Sequence, residues 1–321
     1  MRVAVVGAGG WGEHHARIFS RREDTDLVAL CGRTPARTQA RAERYGATPY
    51  TDLDEMLRIE RPELITVCLP NEDHYDVTLK LVRTGVPLLV EKPLVFDLAE
   101  ADTLLAEAGD RFFAINFNHR YAEPVQRAKA LIDAEELGDL IFATWRFGGE
   151  ANHGNSPHAN LIETQCHGFD MLEQLVGPVA SVAAQMTDKT YGAFSTIAIA
   201  LEFENRAVGT MLGTYDSSYA YPDTQRIEIN GTKGRLVIHD TVRALTFSKA
   251  GDPVEQRWHS TYFDDEARNF AGTFDRHVDA LLTALRAGDQ PPVHARAGRR
   301  ALALAHATIE SHETGRRVSV S

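Results

Sequence analysis

Hydrophobic and polar positions alternate along this chain in two distinct rhythms. From Arg2 to Val6 a short apolar, β-branched run is followed by glycines and then by a helix-like stretch from Glu13 to Arg22. Apolar runs recur at Leu27–Cys31, Leu64–Pro70, Pro87–Leu94 and Phe112–Tyr121. Helical patterns ending in glycine cover 71–85 and 97–109 between them. Continuous apolar strands alternating with helices predict a parallel sheet covered on both faces, with ligands at the carboxyl ends of its strands. From about Ala122 the rhythm changes. One helix, Pro124–Glu136, leads into a series of short runs: 140–147, 179–187, 195–203, 207–215, 226–231, 234–240 and 244–248. Such runs, broken by Gly, Asn and Asp, predict a mostly antiparallel sheet. In one of them Ile197, Ile199, Leu201 and Phe203 make one face, and Thr196, Ala198, Ala200 and Glu202 the other. The second face is small and apolar for solvent. It suits a subunit interface, making a homodimer or homotetramer through the C-terminal sheet, or else a covering helix of the same chain. Helices near Asp265–Ala287 and Ala297–Ser311 either cover a sheet or return to the first domain.

Composition narrows the class. The chain has 321 residues, 43% of them hydrophobic and 25% charged, enough for two domains with separate cores. A formal net charge of −11 repels nucleic acid and anionic membranes. Cys31, Cys68 and Cys166 are odd in number and far apart, so no disulfide framework or structural zinc site is expected. No apolar run approaches the roughly 20 residues that span a bilayer. The opening stretch is too short for a signal sequence, and a cytoplasmic enzyme is the expectation.

The glycines after the first run read G-A-G-G-W-G. Gly7, Gly9 and Gly12 form GxGxxG directly after a strand and at the opening of a helix, with Gly10 and Trp11 inside the loop. In that context the first glycine permits a tight turn, the second lets the backbone approach a pyrophosphate, and the third allows close helix–strand packing. A Rossmann dinucleotide-binding domain over residues 1–121 is therefore expected, with an α+β domain over 122–321 carrying a large, open, mostly antiparallel sheet. An NAD-type ribose contact calls for an acid about 20 residues beyond the last glycine. Gly32 stands there, followed by Arg33, Thr34 and Arg37. That suits a 2′-phosphate, which guanidinium groups bind in bidentate fashion, so NADP is preferred over NAD. The competing reading puts these arginines on the solvated face of the next helix.

The other strand ends carry Leu69-Pro70-Asn71 with His74 beyond, Glu91-Lys92-Pro93, and Asn118-His119-Arg120. Lys92 follows four apolar residues and is stiffened by Pro93; alone, it reads equally as a surface lysine at a strand terminus. Residues 148–160 form a long polar loop, a candidate wall for a substrate pocket. His153, His158 and His167 are too irregularly spaced to predict a metal site.

Taken in order, GxGxxG, "CLPNEDH", "EKP" and "NFNHRY" resemble the glucose–fructose oxidoreductase / inositol dehydrogenase / rhizopine catabolism (Gfo/Idh/MocA) family. Later stretches, "HANLIETQCHGFDMLEQLVGPV", "IEINGTKGRLVI" and the tail from Pro291, agree with it over nearly the whole chain. The resemblance implies an NAD(P)-dependent dehydrogenase or reductase of sugars, cyclitols or similar polyols. It places cofactor contacts at the glycine loop, Leu69–Asn71, His74 and Glu91–Lys92. Substrate contacts fall on Lys92, Asn118, Arg120, Glu163 and His167. The family's lysine maps onto Lys92, and its Asp-x-Gly-x-His-x-x-Asp helix onto Glu163, Gln165, His167 and Asp170. Glu163 stands where aspartate is usual and Gln165 where glycine is usual, which points to a subgroup with its own substrate and to a Gln165 that alters substrate approach.

On a continuous α-helix turning about 100° per residue, Glu163, His167 and Asp170 fall within about 60° of one another, opposite Leu161, Phe169, Leu172, Leu175 and Val176. The polar stripe faces water or a cleft. In the catalytic reading His167 exchanges the hydroxyl proton, Lys92 steadies the oxygen, and Glu163 or Asp170 orients the imidazole. Other members resembling this family are glycoside hydrolases with a tightly held nicotinamide, or nucleotide-binding sensors without catalysis.

Overall fold

In a computed structural model, residues 1–70, 74–149, 156–189, 193–264 and 269–320 are described. The chain divides into two compact units, Met1–Asn116 with Val278–Arg299, and Phe117–His277 with Arg300–Ser321.

The first unit is built on six strands: β1 (Arg2–Val6), β2 (Asp26–Cys31), β3 (Thr48–Tyr50), β4 (Leu64–Val67), β5 (Leu88–Val90) and β6 (Phe113–Ile115). Helices α1 (Gly10–Ser20), α2 (Pro35–Tyr45), α3 (Leu53–Glu60), α4 (His74–Thr84) and α5 (Leu98–Ala108) connect them. All the pairings are parallel, in the order β3-β2-β1-β4-β5-β6. β4, β5 and β6 are buried throughout, as two-sided helix cover requires. Residues 293–295 bond to the far side of β6 through Ala295 N–H to Phe113 C=O (2.8 Å) and Ile115 N–H to Val293 C=O (3.0 Å), which covers that edge. The order reverses between β1 and β4, so the loops leaving these two strands frame the crevice where such sheets take ligands.

The expected apolar runs are longer than the strands they contain. Pro87–Leu94 supplies only β5, which ends at Val90. Phe112–Tyr121 supplies β6 and then a 3₁₀ turn, Asn118–Tyr121.

The second unit contains α6 (Glu123–Asp133), β7 (Leu140–Gly148), α7 (Cys166–Val176), β8 (Val179–Thr187), β9 (Thr196–Phe203), β10 (Val208–Thr214), β11 (Gln225–Gly231), β12 (Gly234–His239), β13 (Ala244–Lys249), β14 (Glu255–His259) and β15 (Val318–Ser319). Helices α8 (Gly272–Ala287) and α9 (Arg296–Thr314) complete the chain, and the division between the units runs through both. The nine-stranded sheet runs β14-β13-β12-β11-β7-β10-β9-β8-β15. Every pairing in it is antiparallel except β10 with β7. Alternation is clear in β9, where Ile197, Ile199, Leu201 and Phe203 are buried while Ala198 and Ala200 are exposed. On the adjacent β10, Val208 and Leu212 share that exposed face.

Candidate active site

The glycine loop has the geometry its spacing implies. Gly7 adopts φ +118°, and a Cβ there would lie 2.2 Å from the Cys68 carbonyl oxygen. A Cβ on Gly12 would lie 1.7 Å from the Gly7 carbonyl oxygen, so α1 packs against the loop only without a side chain. Gly9 meets nothing within 4 Å and caps α1, whose first-turn amides suit an anion.

A cavity of about 350 Å³ opens beside this loop. It is lined by Gly7 and Gly9, by Gly32, Arg33, Thr34 and Arg37 from the end of β2, and by Leu69 and Pro70 after β4. Arg33, Thr34 and Arg37 are exposed. Gly32 has no room for the acid an NAD-type contact needs, because a Cβ would stand 2.7 Å from Thr38 Oγ1 and 2.8 Å from Ala8 Cβ. These features fit a dinucleotide. Asn71 lies outside the described residues.

Arg41 was not foreseen as part of this site. Its guanidinium donates to the carbonyls of Ala8 and Gly9 and pairs with Glu13 at 3.1 Å, so α2 props the glycine loop from below. The only clue in the sequence is that Arg41 follows Arg37 by one helical turn.

Lys92 is half-buried, with its ammonium 5.9 Å from the ring centroid of Trp11, which is itself exposed in the glycine loop. Its neighbours differ from expectation. Glu91 is buried and accepts hydrogen bonds from His15 and Asn116, and His74 is buried with Nδ1 2.9 Å from the Leu94 carbonyl. Both side chains are engaged inside the unit rather than lining the cavity.

In the second unit the helix that carries the acid/base group is not continuous. Asn160–Thr164 is a π-helical turn, and the α-helix begins only at Cys166. The 100° wheel therefore fails across Gln165, and the stripe does not face water: His167 and Asp170 are buried, and Glu163 is half-buried. Gln165 points into the core rather than toward a ligand. Its Oε1 accepts from Trp145 Nε1 (3.1 Å), its Nε2 donates to Asn160 Oδ1 (3.1 Å), and it lies over Gly213, where a Cβ would come within 2.3 Å of its Cδ. The core holds a space and two partners for this glutamine.

Asp170 pairs with Arg120. Its carboxylate takes Arg120 Nε at 2.8 Å and Arg120 Nη2 on the other oxygen, a bidentate buried pair. Asn118, buried, donates to Thr273 Oγ1 at 2.7 Å. Arg120 and Asn118 thus hold the 3₁₀ turn in place. The turn aims His119 at His167: the two rings stack with centroids 4.0 Å apart and planes 13° apart, and Phe117 meets His167 edge-on at 5.7 Å. No local signal in the sequence pairs His119 with His167, which lies 48 positions away. His158 stacks on Phe194 and His153 lies outside the described residues. Among the described residues, the metal-capable group that does assemble is His15, Cys68 and Glu91.

Comparison with known proteins follows the same division. The family model described as "Oxidoreductase family, NAD-binding Rossmann fold" matches residues 1–113, and its "C-terminal alpha/beta domain" matches residues 129–320. An inositol 2-dehydrogenase of Rhizobium meliloti (strain 1021) is 23% identical, the match covering 100% of this chain and 99% of that protein. A D-glucoside 3-dehydrogenase of Escherichia coli (strain K12) is 33% identical over 150 residues, 46% of this chain and 43% of that protein. A levoglucosan dehydrogenase solved with NADH and levoglucosan superimposes with a TM-score of 0.89 at 18% identity, over 100% of this chain and 99% of that one. At that identity the likeness speaks for the fold alone.

Proposed function

The chain belongs to the Gfo/Idh/MocA oxidoreductase family, and from that premise we propose that it transfers hydride between a nicotinamide cofactor and a carbinol or carbonyl carbon of a sugar, cyclitol or related polyol. The observation that carries this reading is the glycine-lined cavity at the reversal of a parallel sheet, with Lys92 and the Trp11 loop in the same unit. Relatives named for dehydrogenation of inositol and glucosides support the substrate class. NADP is the proposed preference, with NAD as the alternative. The support is Gly32 in place of an acid and two exposed arginines on the cavity wall.

The bound nicotinamide supplies the hydride acceptor in the oxidative direction. The chain's own residues handle the substrate oxygen. His167 accepts the hydroxyl proton as the carbon–hydrogen bond breaks, and returns it in the reductive direction. Lys92 donates a charged hydrogen bond that steadies developing negative charge on oxygen. Glu163, half-buried at the π-helical turn, is assigned to a substrate hydroxyl. Arg120, Asp170 and Gln165 serve by holding the turn and the helix.

Mixing the purified protein with NADP⁺ or NAD⁺ and a panel of polyols, while following nicotinamide absorbance, tests the reading. Net reduction with at least one cyclitol or sugar is expected. Glycosidase activity without net cofactor change, or nucleotide binding with no turnover on any compound, contradicts it. The exposed Ala198, Ala200, Val208 and Leu212 face is proposed as a homo-oligomer contact. A Leu212→Lys variant should then sediment as a smaller species than wild type.

A further inference from the structure

Glu91 immediately precedes Lys92, yet the Glu91 side chain is directed inward. One carboxylate oxygen accepts from His15 Nε2 at 2.8 Å and from Asn116 Nδ2 at 2.6 Å. The other accepts the backbone N–H of Lys92 at 3.3 Å. The partners come from separate elements: His15 from α1, Glu91 from the end of β5, Asn116 from the end of β6. Cys68, just past β4, brings its Sγ within 4.8 Å of the His15 nitrogen and the Glu91 carboxylate. Glu91 and Cys68 are each 5% exposed and His15 1%.

We propose that the buried His15–Glu91 ion pair is a positioning device for Lys92, tying the lysine's backbone amide to the helix whose N-terminus receives the cofactor pyrophosphate. The inference rests on the reading that Lys92 acts on substrate. It goes beyond that reading by assigning Glu91 and His15 to the lysine's geometry rather than to cofactor contact.

Two physical arguments support the pair as ionic. Burial alone would strip His15 of its proton, but the Glu91 carboxylate 2.8 Å away opposes that and His15 is raised. Burial likewise raises the Glu91 carboxyl, yet His15, Lys92 and Asn116 together hold it below the usual range. The other titratable groups facing the pair do not compete for it. Burial lowers His14 on α1 and His74 on α4, and pushes the Cys68 thiol up. A buried carboxylate held by one imidazole and two amide donors has no alternative partner to turn to, and loss of His15 would leave its charge uncompensated. That rigidity is transmitted one residue along the chain, through the Lys92 amide.

The test uses Glu91→Gln, His15→Gln, His15→Phe, the double variant His15→Phe/Glu91→Gln, and Lys92→Ala. Each is measured for nucleotide affinity, kcat and the pH profile of kcat. Glu91→Gln should lower kcat on the order of 10- to 100-fold, as a small misplacement of a reacting group does, with nucleotide affinity nearly unchanged. His15→Gln keeps a nitrogen donor toward Glu91 and should retain most of kcat. His15→Phe leaves the carboxylate buried without a cation, so kcat should gain an ascending limb with pH as Glu91 ionises; the double variant should lack that limb. A purely structural role would lower the melting temperature without creating the limb. Wild-type kcat and pH profile in both Glu91→Gln and His15→Phe, with Lys92→Ala inactive, overturns the positioning role and leaves the reading of Lys92 standing. Full turnover by Lys92→Ala overturns both. Titration with Cd²⁺ that produces thiolate-to-metal absorption dependent on all of His15, Cys68 and Glu91 overturns the proposal by making the cluster a metal centre.

Discussion

Replacing Asp170 with Asn separates two roles that the sequence could not distinguish. If Asp170 oriented the His167 imidazole, the substitution would alter proton transfer and shift the pH profile of kcat with little loss of stability. The structure instead gives both carboxylate oxygens to Arg120. Asp170 is 5% exposed, and the Arg120 side chain is 21% exposed. Removing one member of such a pair leaves the other as an uncompensated buried charge, a loss of about 3–5 kcal/mol when fully buried. The partial exposure of Arg120 trims this to about 2–4 kcal/mol. For a unit of roughly 150–250 residues each kcal/mol moves Tm by about 2–4 °C, so Asp170→Asn should lower it by about 4–16 °C. In a Trp11→Phe background the remaining tryptophans, Trp145 and Trp258, both lie in the second unit, so their emission on heating reports its melting. The double variant Arg120→Leu/Asp170→Leu, which removes both charges, should recover most of the loss. Two results would refute the reasoning: a Tm unchanged in Asp170→Asn, or a wild-type Tm with a displaced pH profile.

Three further outcomes follow from the same contacts. Arg33→Ala/Arg37→Ala should weaken NADP binding about 10- to 100-fold while changing NAD little, since only the 2′-phosphate loses charge-assisted bonds; equal losses for both cofactors would count against the 2′-phosphate assignment. Gln165→Ala should destabilise the second unit by about 2–4 kcal/mol, because it opens a cavity and leaves the Trp145 indole N–H without its acceptor. A stable, well-packed Ala variant in denaturant titration would show that Gln165 is dispensable. The His15 proton is held more tightly in the folded chain, its pKa rising from 6.5 to about 10. Its stabilisation is therefore complete below about pH 6.5 and lost as pH climbs toward 10; Tm of wild type should fall across that window, and a His15→Gln variant should show a flatter slope.

Local pattern carried the architecture well. The β1–glycine–α1–β2 succession, the later strand runs and the switch to period-two alternation after residue 122 need only neighbours a few positions apart. β3 escaped because Thr48–Tyr50 is three residues long and contains Pro49, too short for alternation to register. The π-helical turn at 160–164 escaped because periodicity assumes one pitch, and a single wide turn displaces every later residue on the wheel. What the sequence could not supply was partnership over distance. Arg120 with Asp170, His119 with His167, and His15 with Glu91 are 50, 48 and 76 positions apart, and each pairing changes what its residues are free to do. Lys92 and His167 were legible as types suited to the chemistry; Glu91, Asn118 and Asp170 were assigned outward roles because burial of a polar side chain leaves no local trace.

The central claim, hydride transfer assisted by Lys92 and His167, is tested most directly by single-turnover measurement of cofactor reduction with the best polyol from the panel, in wild type, Lys92→Ala and His167→Ala. The account predicts rapid reduction in wild type and a loss of at least about 100-fold in each variant, with nucleotide affinity retained. Reduction at the wild-type rate in both variants would contradict it.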